Sequence, residues 1–137
     1  MNIKRAIWVG IAVYLVSFFI GLIVMTLAGI NPADTSEIPN SILYVNIFIT
    51  IIIAALFTIL YLKDKKIEAN AKEGLFFGLV LIVIGFVFDI VIFAIASATT
   101  ANKQSLIDYY SNPVFWAALI LFLATTTITA ANIKRKK

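Results

Sequence analysis

Apolar residues in this chain run in four nearly unbroken blocks: Ala6 to Ile30, Ile42 to Leu62, Gly74 to Ala98 and Pro113 to Ile133. Each block supplies the roughly 20 mostly apolar residues that a helix needs to cross the hydrocarbon core of a bilayer. The pattern predicts an all-α fold: a single four-helix transmembrane domain over residues 1–137, with no internal repeat. Because the loops are short, consecutive helices should run antiparallel as a four-transmembrane-helix up-down-up-down bundle. Gly29 and Asn31-Pro32 stop the first helix, since proline cannot donate the next backbone bond and disfavours helix in the residue before it. Pro39-Asn40-Ser41 offers a turn and an N-cap for the second. Asn112-Pro113 starts the fourth, with Asn as cap and Pro at the first helical position. The segment from Lys63 to Glu73 is rich in helix formers and has no Pro or Gly, which allows the second and third helices to extend beyond the bilayer.

The polar and small positions inside the blocks indicate which faces meet protein. In the third block Gly74, Gly78, Gly85 and Asp89 are spaced 4, 7 and 4 apart, which places them on one face of a helix. Asp89 is the only charge inside any of the runs, and an intramembrane acid should face protein or a hydrated cavity rather than lipid. The glycines predict close helix packing there, as does Gly21 in the first block, where Gly10, Tyr14, Ser17, Gly21 and Ala28 form a small or polar stripe. In the second block Asn46, Thr50, Ala54 and Thr58 recur every fourth residue. Counting about 1.5 Å per residue, Asp89 lies at the depth of Asn46, Thr50 and Gly21. The expected contact is therefore Asp89 to Asn46, direct or through one water, with Thr50 or Ser17 nearby. For the hydroxyls of Ser17, Thr26 and the run Thr125 to Thr129, the ordinary expectation is a bond back to the preceding helical turn.

With 62% hydrophobic residues and a mean hydropathy of +1.03, the chain is far more apolar than a soluble domain, where apolar usage is about half. The net charge of +4 matters for its distribution. Lys4 and Arg5 precede the first block, four lysines lie between the second and third, and Lys134, Arg135, Lys136 and Lys137 follow the fourth; only Lys103 falls in the other two loops. By the positive-inside rule both termini are cytoplasmic and the chain is a multi-pass protein of the inner or plasma membrane. The first block is too long for the core of a signal peptide and is read as a retained helix. A basic rim of this kind meets anionic lipid headgroups, so the bilayer is the expected partner and nucleic acid is not. Trp8 and Tyr61 are placed as anchors at the inner interface, and Tyr44, Tyr109, Tyr110 and Trp116 at the outer one. There is no His and no Cys, which removes imidazole bases, thiol nucleophiles and zinc sites built on those ligands. No acid–base pair or nucleophile constellation can be assembled, so no enzyme activity, no cofactor and no metal is expected.

Small multidrug transporters also combine four helices with a membrane carboxylate. Their acid lies in the first helix, whereas here it lies in the third, and their charge bias is weak, whereas here it is strong. Glu73-Gly-Leu-Phe-Phe-Gly78 followed by Asp89 resembles instead the small uncharacterised four-helix integral membrane proteins of bacteria and archaea, in which Glu-Gly-x-x-x-Gly opens the third helix and an acid follows. The resemblance implies no particular activity. Two functions fit the residues. In the leading one the chain is a structural, accessory or oligomer-forming component whose glycine face and Asp89 pack helices or dock a membrane protein partner or a second copy. In the alternative it is a proton- or cation-coupled transporter or channel, with Asp89 titrating among Asn46, Thr50 and Ser17. The topology is directly testable, because the chain lacks cysteine. Single cysteines at Thr35 and Asn102 should react with an impermeant maleimide added to intact cells, and one at Lys136 should not; the reverse pattern would invert the orientation.

Overall fold

The computed structural model describes residues 2–30, 39–64, 66–99 and 110–133. Asn31-Pro32 and Tyr109 lie outside the described residues. Four helices are present: α1, Ile3–Leu27; α2, Asn40–Leu62; α3, Ala71–Thr99; and α4, Pro113–Asn132. All four are long and apolar enough to cross a membrane. Large apolar side chains such as Phe19, Phe48, Val83 and Ile120 point outward along their length, as lipid-facing surfaces do and as a water-exposed surface could not without forming a very large apolar patch.

The helix ends follow from local chemistry. The Asn2 side chain accepts from the backbone N–H of Arg5 at 3.1 Å and caps α1. At the other end Gly29 takes a positive φ of 73°. Its N–H donates to Thr26 O and that of Ile30 to Met25 O, the paired bonds of a Schellman motif that only glycine enters without steric cost. Asn112 caps α4 by accepting from Val114 N–H at 2.9 Å, with Pro113 at the first helical position. Two expectations are corrected. At α2 no side chain caps the start, and the helix begins at Asn40 directly behind Pro39. The connector after α2 is not a helical extension: α2 ends at Leu62, and Asn70 accepts from Glu73 N–H at 2.8 Å to open α3. Between them Asp64 accepts from Lys66 N–H, a bond that holds its carboxyl below the usual carboxylate range, and Ile67 is tucked back into the core at 1% exposure. Burying Ile67 and capping with Asn70 outweigh the helix propensity of the intervening lysines.

Each helix has two principal neighbours. α1 packs on α2 and α3, and α4 packs on the same two. α1 and α4 are therefore diagonal to each other, as are α2 and α3. Side chains bridge the second diagonal at the end that holds Tyr61 and Phe77. There the Tyr61 and Phe77 rings stack with centroids 4.3 Å apart, both fully buried, and Tyr61 Oη donates to Glu73 Oε1 at 2.6 Å. Tyr61 is thus a core residue rather than an interfacial anchor. Its position is locked by Arg5, whose guanidinium donates to the carbonyls of Leu60 and Tyr61 at 2.7 and 3.0 Å, among the last carbonyls of α2 that lack a full intrahelical partner.

The buried residues share that end. Among the described residues they are Ala6, Gly10 and Val13 of α1; Ile53, Ala54, Thr58, Tyr61 and Leu62 of α2; Gly74, Phe77, Gly78 and Leu81 of α3; Phe122, Thr126 and Ala130 of α4; and Ile67. α3 and α4 approach closely because Gly74 faces Ala130 and Thr126, and Gly78 faces Thr126 and Leu123; a Cβ at Gly74 would come to 2.5 Å from Ala130 Cβ and Thr126 O, and one at Gly78 to 2.5 Å from Thr126 Oγ1 and 2.9 Å from Leu123 Cδ2. Gly85 faces open space, with nothing within 4 Å of a built Cβ, which corrects its assignment to helix packing. Gly21 meets only Asn46 Oδ1 at 4.0 Å. Gly74→Ala should therefore lower the thermal midpoint in detergent, at a cost of about 1–3 kcal/mol from overpacking against backbone. Gly85→Ala should leave the midpoint unchanged or raise it. Equal losses for the two would show that the small residues of α3 pack alike.

Candidate functional site

The half of the molecule away from this core is looser, and Asp89 lies there. Its carboxylate faces inward. Tyr14 Oη of α1 donates to Asp89 Oδ1 at 2.8 Å, and Tyr110 Oη, two residues ahead of the Asn112 cap of α4, approaches Oδ2 at 3.5 Å, the outer limit of a hydrogen bond. Tyr14 is held for this by stacking on Phe88, with centroids 4.7 Å apart. Tyr110 is held by Phe86 and Phe115, at 5.3 and 5.1 Å, and by the Trp116 indole, which donates to its backbone carbonyl at 2.7 Å. The carboxylate is thus gripped from α1 and from the start of α4, the two principal neighbours of α3.

Asp89 lines a partly open cleft of about 260 Å³. Tyr14 and Ser17 of α1, Thr50 of α2, and Gly85 and Phe86 of α3 also line it, with Phe115, Leu119 and Phe122 of α4 as an apolar wall. The missing side chain of Gly85 is part of the reason the space exists. Two of the polar atoms are differently employed. Thr50 Oγ1 donates to Asn46 O at 2.8 Å, the back-bond also made by Thr26, Thr58, Thr125 and Thr127. Ser17 Oγ makes no such bond: it is buried and has no hydrogen-bond partner among the described residues. A buried hydroxyl without a partner is costly and calls for an explanation.

Of the four residues proposed from sequence as one polar group, Asp89, Thr50 and Ser17 share the cleft, and Asn46 does not line it. The partner expected in Asn46 is supplied by Tyr14. The physical reason is the arrangement of the helices: α2 is diagonal to α3, so equal depth does not bring Asn46 to Asp89. The neighbouring α1 carries a side chain long enough to reach. Asn46 stands by Gly21 of α1 instead. Tyr14 already belonged to the small and polar stripe of α1, a signal that could have marked it as a site residue. Tyr110 was placed as a membrane anchor, and nothing in its local sequence ties it to an acid 21 residues earlier. Trp8, Tyr44 and Trp116 are 73%, 60% and 51% exposed, the outward placement an interfacial anchor needs.

Among the described residues no group of three or more acidic, His or Cys side chains could hold a metal ion. The chemistry available is that of one carboxylate with spare acceptor capacity at Oδ2, a free hydroxyl and aromatic rings. Comparison with family models, curated proteins and solved structures finds no match. The site is therefore read from its own geometry.

The two hydroxyls should respond oppositely to removal. Tyr14→Phe leaves Asp89 with only its long contact to Tyr110 and should destabilise the protein by about 1–3 kcal/mol. Ser17→Ala deletes an oxygen that pairs with nothing and should cost no stability. Thermal unfolding of both variants in the same detergent reads the difference, and equal losses would mean that Ser17 is bonded in the folded protein.

Proposed function

We propose that the protein is a small carrier of the inner or plasma membrane in which Asp89 binds a proton or a cation. The observation supporting this most directly is that Asp89 borders an open cleft instead of being sealed between helices. A carboxyl kept only to pack helices would be expected to have its acceptors filled and no space beside it. The groups facing it are Tyr14 from α1 and Tyr110 from ahead of α4, with the neutral Thr50 from α2; among the described residues no Lys, Arg or Glu lines the cleft. Occupation by a proton or cation would thus change the local charge without a competing protein cation.

The topology of the proposal is an up-down-up-down bundle with both termini cytoplasmic. In support, Arg5 near the start of α1 meets Leu60 and Tyr61 at the end of α2, and Gly74 near the start of α3 meets Ala130 near the end of α4. Lys4 and Arg5 in the first turn of α1, and Lys63, Lys66 and Lys72 between α2 and the start of α3, belong to that same end. In this orientation the packed core lies toward the cytoplasmic side and the cleft beside Asp89 toward the outer half. This is the asymmetry expected of a carrier resting with its site accessible from one side.

The accessory reading relies on the glycine face of α3 to dock a partner. Gly74 and Gly78 are already filled by Thr126 and Ala130 of the same chain, which leaves that face little to offer. In proteoliposomes carrying an internal pH dye and an imposed pH gradient, the wild type should collapse the gradient at least tenfold faster than protein-free vesicles when a transported cation is added from a panel of small amines and alkali ions. Asp89→Asn keeps the shape and most of the hydrogen bonding of the side chain but cannot titrate. It should fold with a wild-type thermal midpoint and match protein-free vesicles. Gradient collapse in Asp89→Asn at the wild-type rate would end the proposal.

A further inference from the structure

The cleft beside Asp89 has a chemical character that narrows its ligand. Three of its oxygens stand out as acceptors. Asp89 Oδ2 is engaged only at 3.5 Å, Ser17 Oγ is buried without a partner, and Thr50 Oγ1 has given its proton to Asn46 O and keeps its lone pairs. Among the described residues no cationic donor lines the cleft to meet them. Apart from Tyr14, whose hydroxyl donates to Asp89, the rest of the described lining is apolar, with Phe86, Phe115 and Phe122 presenting rings. Calcium and magnesium take six or more oxygens in all, waters included, and the described lining offers them a single carboxylate and a few hydroxyls. An ammonium group carries three N–H donors and a positive charge, and aromatic faces attract such a cation once it is desolvated. The volume of about 260 Å³ corresponds to roughly nine water molecules at about 30 Å³ each, room for a head group and a compact apolar body.

Building on the carrier reading, we infer that the cleft is a binding site for a small organic amine in its ammonium form, the head group bonded to Asp89, Ser17 and Thr50 and an apolar or aromatic body lying against Phe86, Phe115 and Phe122. The unpartnered Ser17 hydroxyl then has its explanation: its hydrogen-bond partner is the ligand. Gly85 supplies the space for the body, since a side chain there would project into the cleft without touching protein.

The test uses the full chain purified in detergent, with phenethylammonium as the probe and 2-phenylethanol as its neutral counterpart of nearly the same shape. Binding is read by calorimetry and, independently, by the ligand-dependent rise in thermal midpoint that follows from preferential binding to the folded state. The ammonium should bind at least tenfold more tightly than the alcohol. Asp89→Asn should lose that preference, Ser17→Ala should weaken the ammonium severalfold, and Gly85→Leu should abolish binding of both compounds while keeping the midpoint of the unliganded protein. Equal affinity for ammonium and alcohol, or unchanged ammonium binding in Asp89→Asn, would overturn the inference. So would tight binding of sodium or potassium that excludes the amine. The outcome is separable from that of the carrier reading. Amine binding without gradient-driven flux would remove the carrier and leave the site, whereas flux of an alkali ion without amine binding would remove the amine and leave the carrier.

Discussion

The close approach of α3 to α4 is the contact on which the remaining architecture depends. In lipid no hydrophobic force draws helices together, because the tails are as apolar as the side chains, so association relies on close packing and on polar contacts. Gly74 and Gly78 provide the first by giving Thr126 and Ala130 room against the α3 backbone. The Tyr61–Phe77 stack and the Tyr61–Glu73 bond then carry this packed end across the diagonal to α2, and Arg5 ties α1 to the same place. All four helices are thus fastened at one end.

Fastening at one end leaves the other half free to diverge. Beyond Leu81 and Phe122 no described residue farther from the packed end is fully buried, and the glycine that continues the α3 face, Gly85, meets no neighbour. The same face therefore does two things: its first two glycines admit another helix, and its third leaves a space. What distinguishes them is the side chain opposite. A small residue makes a contact only when something of complementary shape approaches, and a void otherwise.

A carboxyl in that looser half carries an energetic cost, and the surroundings show how the cost is met. Two tyrosine hydroxyls, from different helical neighbours, donate to Asp89, and each ring is wedged by phenylalanines that fix the direction of its hydroxyl. Tyrosine suits the position because its body packs as a hydrophobe while its tip bonds the acid. The arrangement satisfies part of the carboxylate and leaves acceptor capacity on the cleft side, beside a serine with no partner at all. Incomplete satisfaction of this kind costs stability, and its persistence fits a site that is completed by something bound.

The number of helices, their approximate spans, the Gly29 stop, the Asn112-Pro113 start and the inward-facing Asp89 were all legible in the sequence. Each depends on local composition or on the period of a single helix, which a linear reading captures. The break in the connector at Asn70 was not legible, because its residues favour helix and only the burial of Ile67 draws them out of it. Nor were the partners of Asp89. Depth along the membrane can be counted from residue number, but depth does not choose a partner. Which helix stands beside which is decided by side-chain shape across helices far apart in sequence. That choice placed α2 diagonal to α3, removed Asn46 from the site, and gave its role to Tyr14 and Tyr110. The sequence by itself determined a membrane fold with one buried acid; only the tertiary structure decided that the acid borders a cleft, because a cleft is the space between helices and no single helix encodes it.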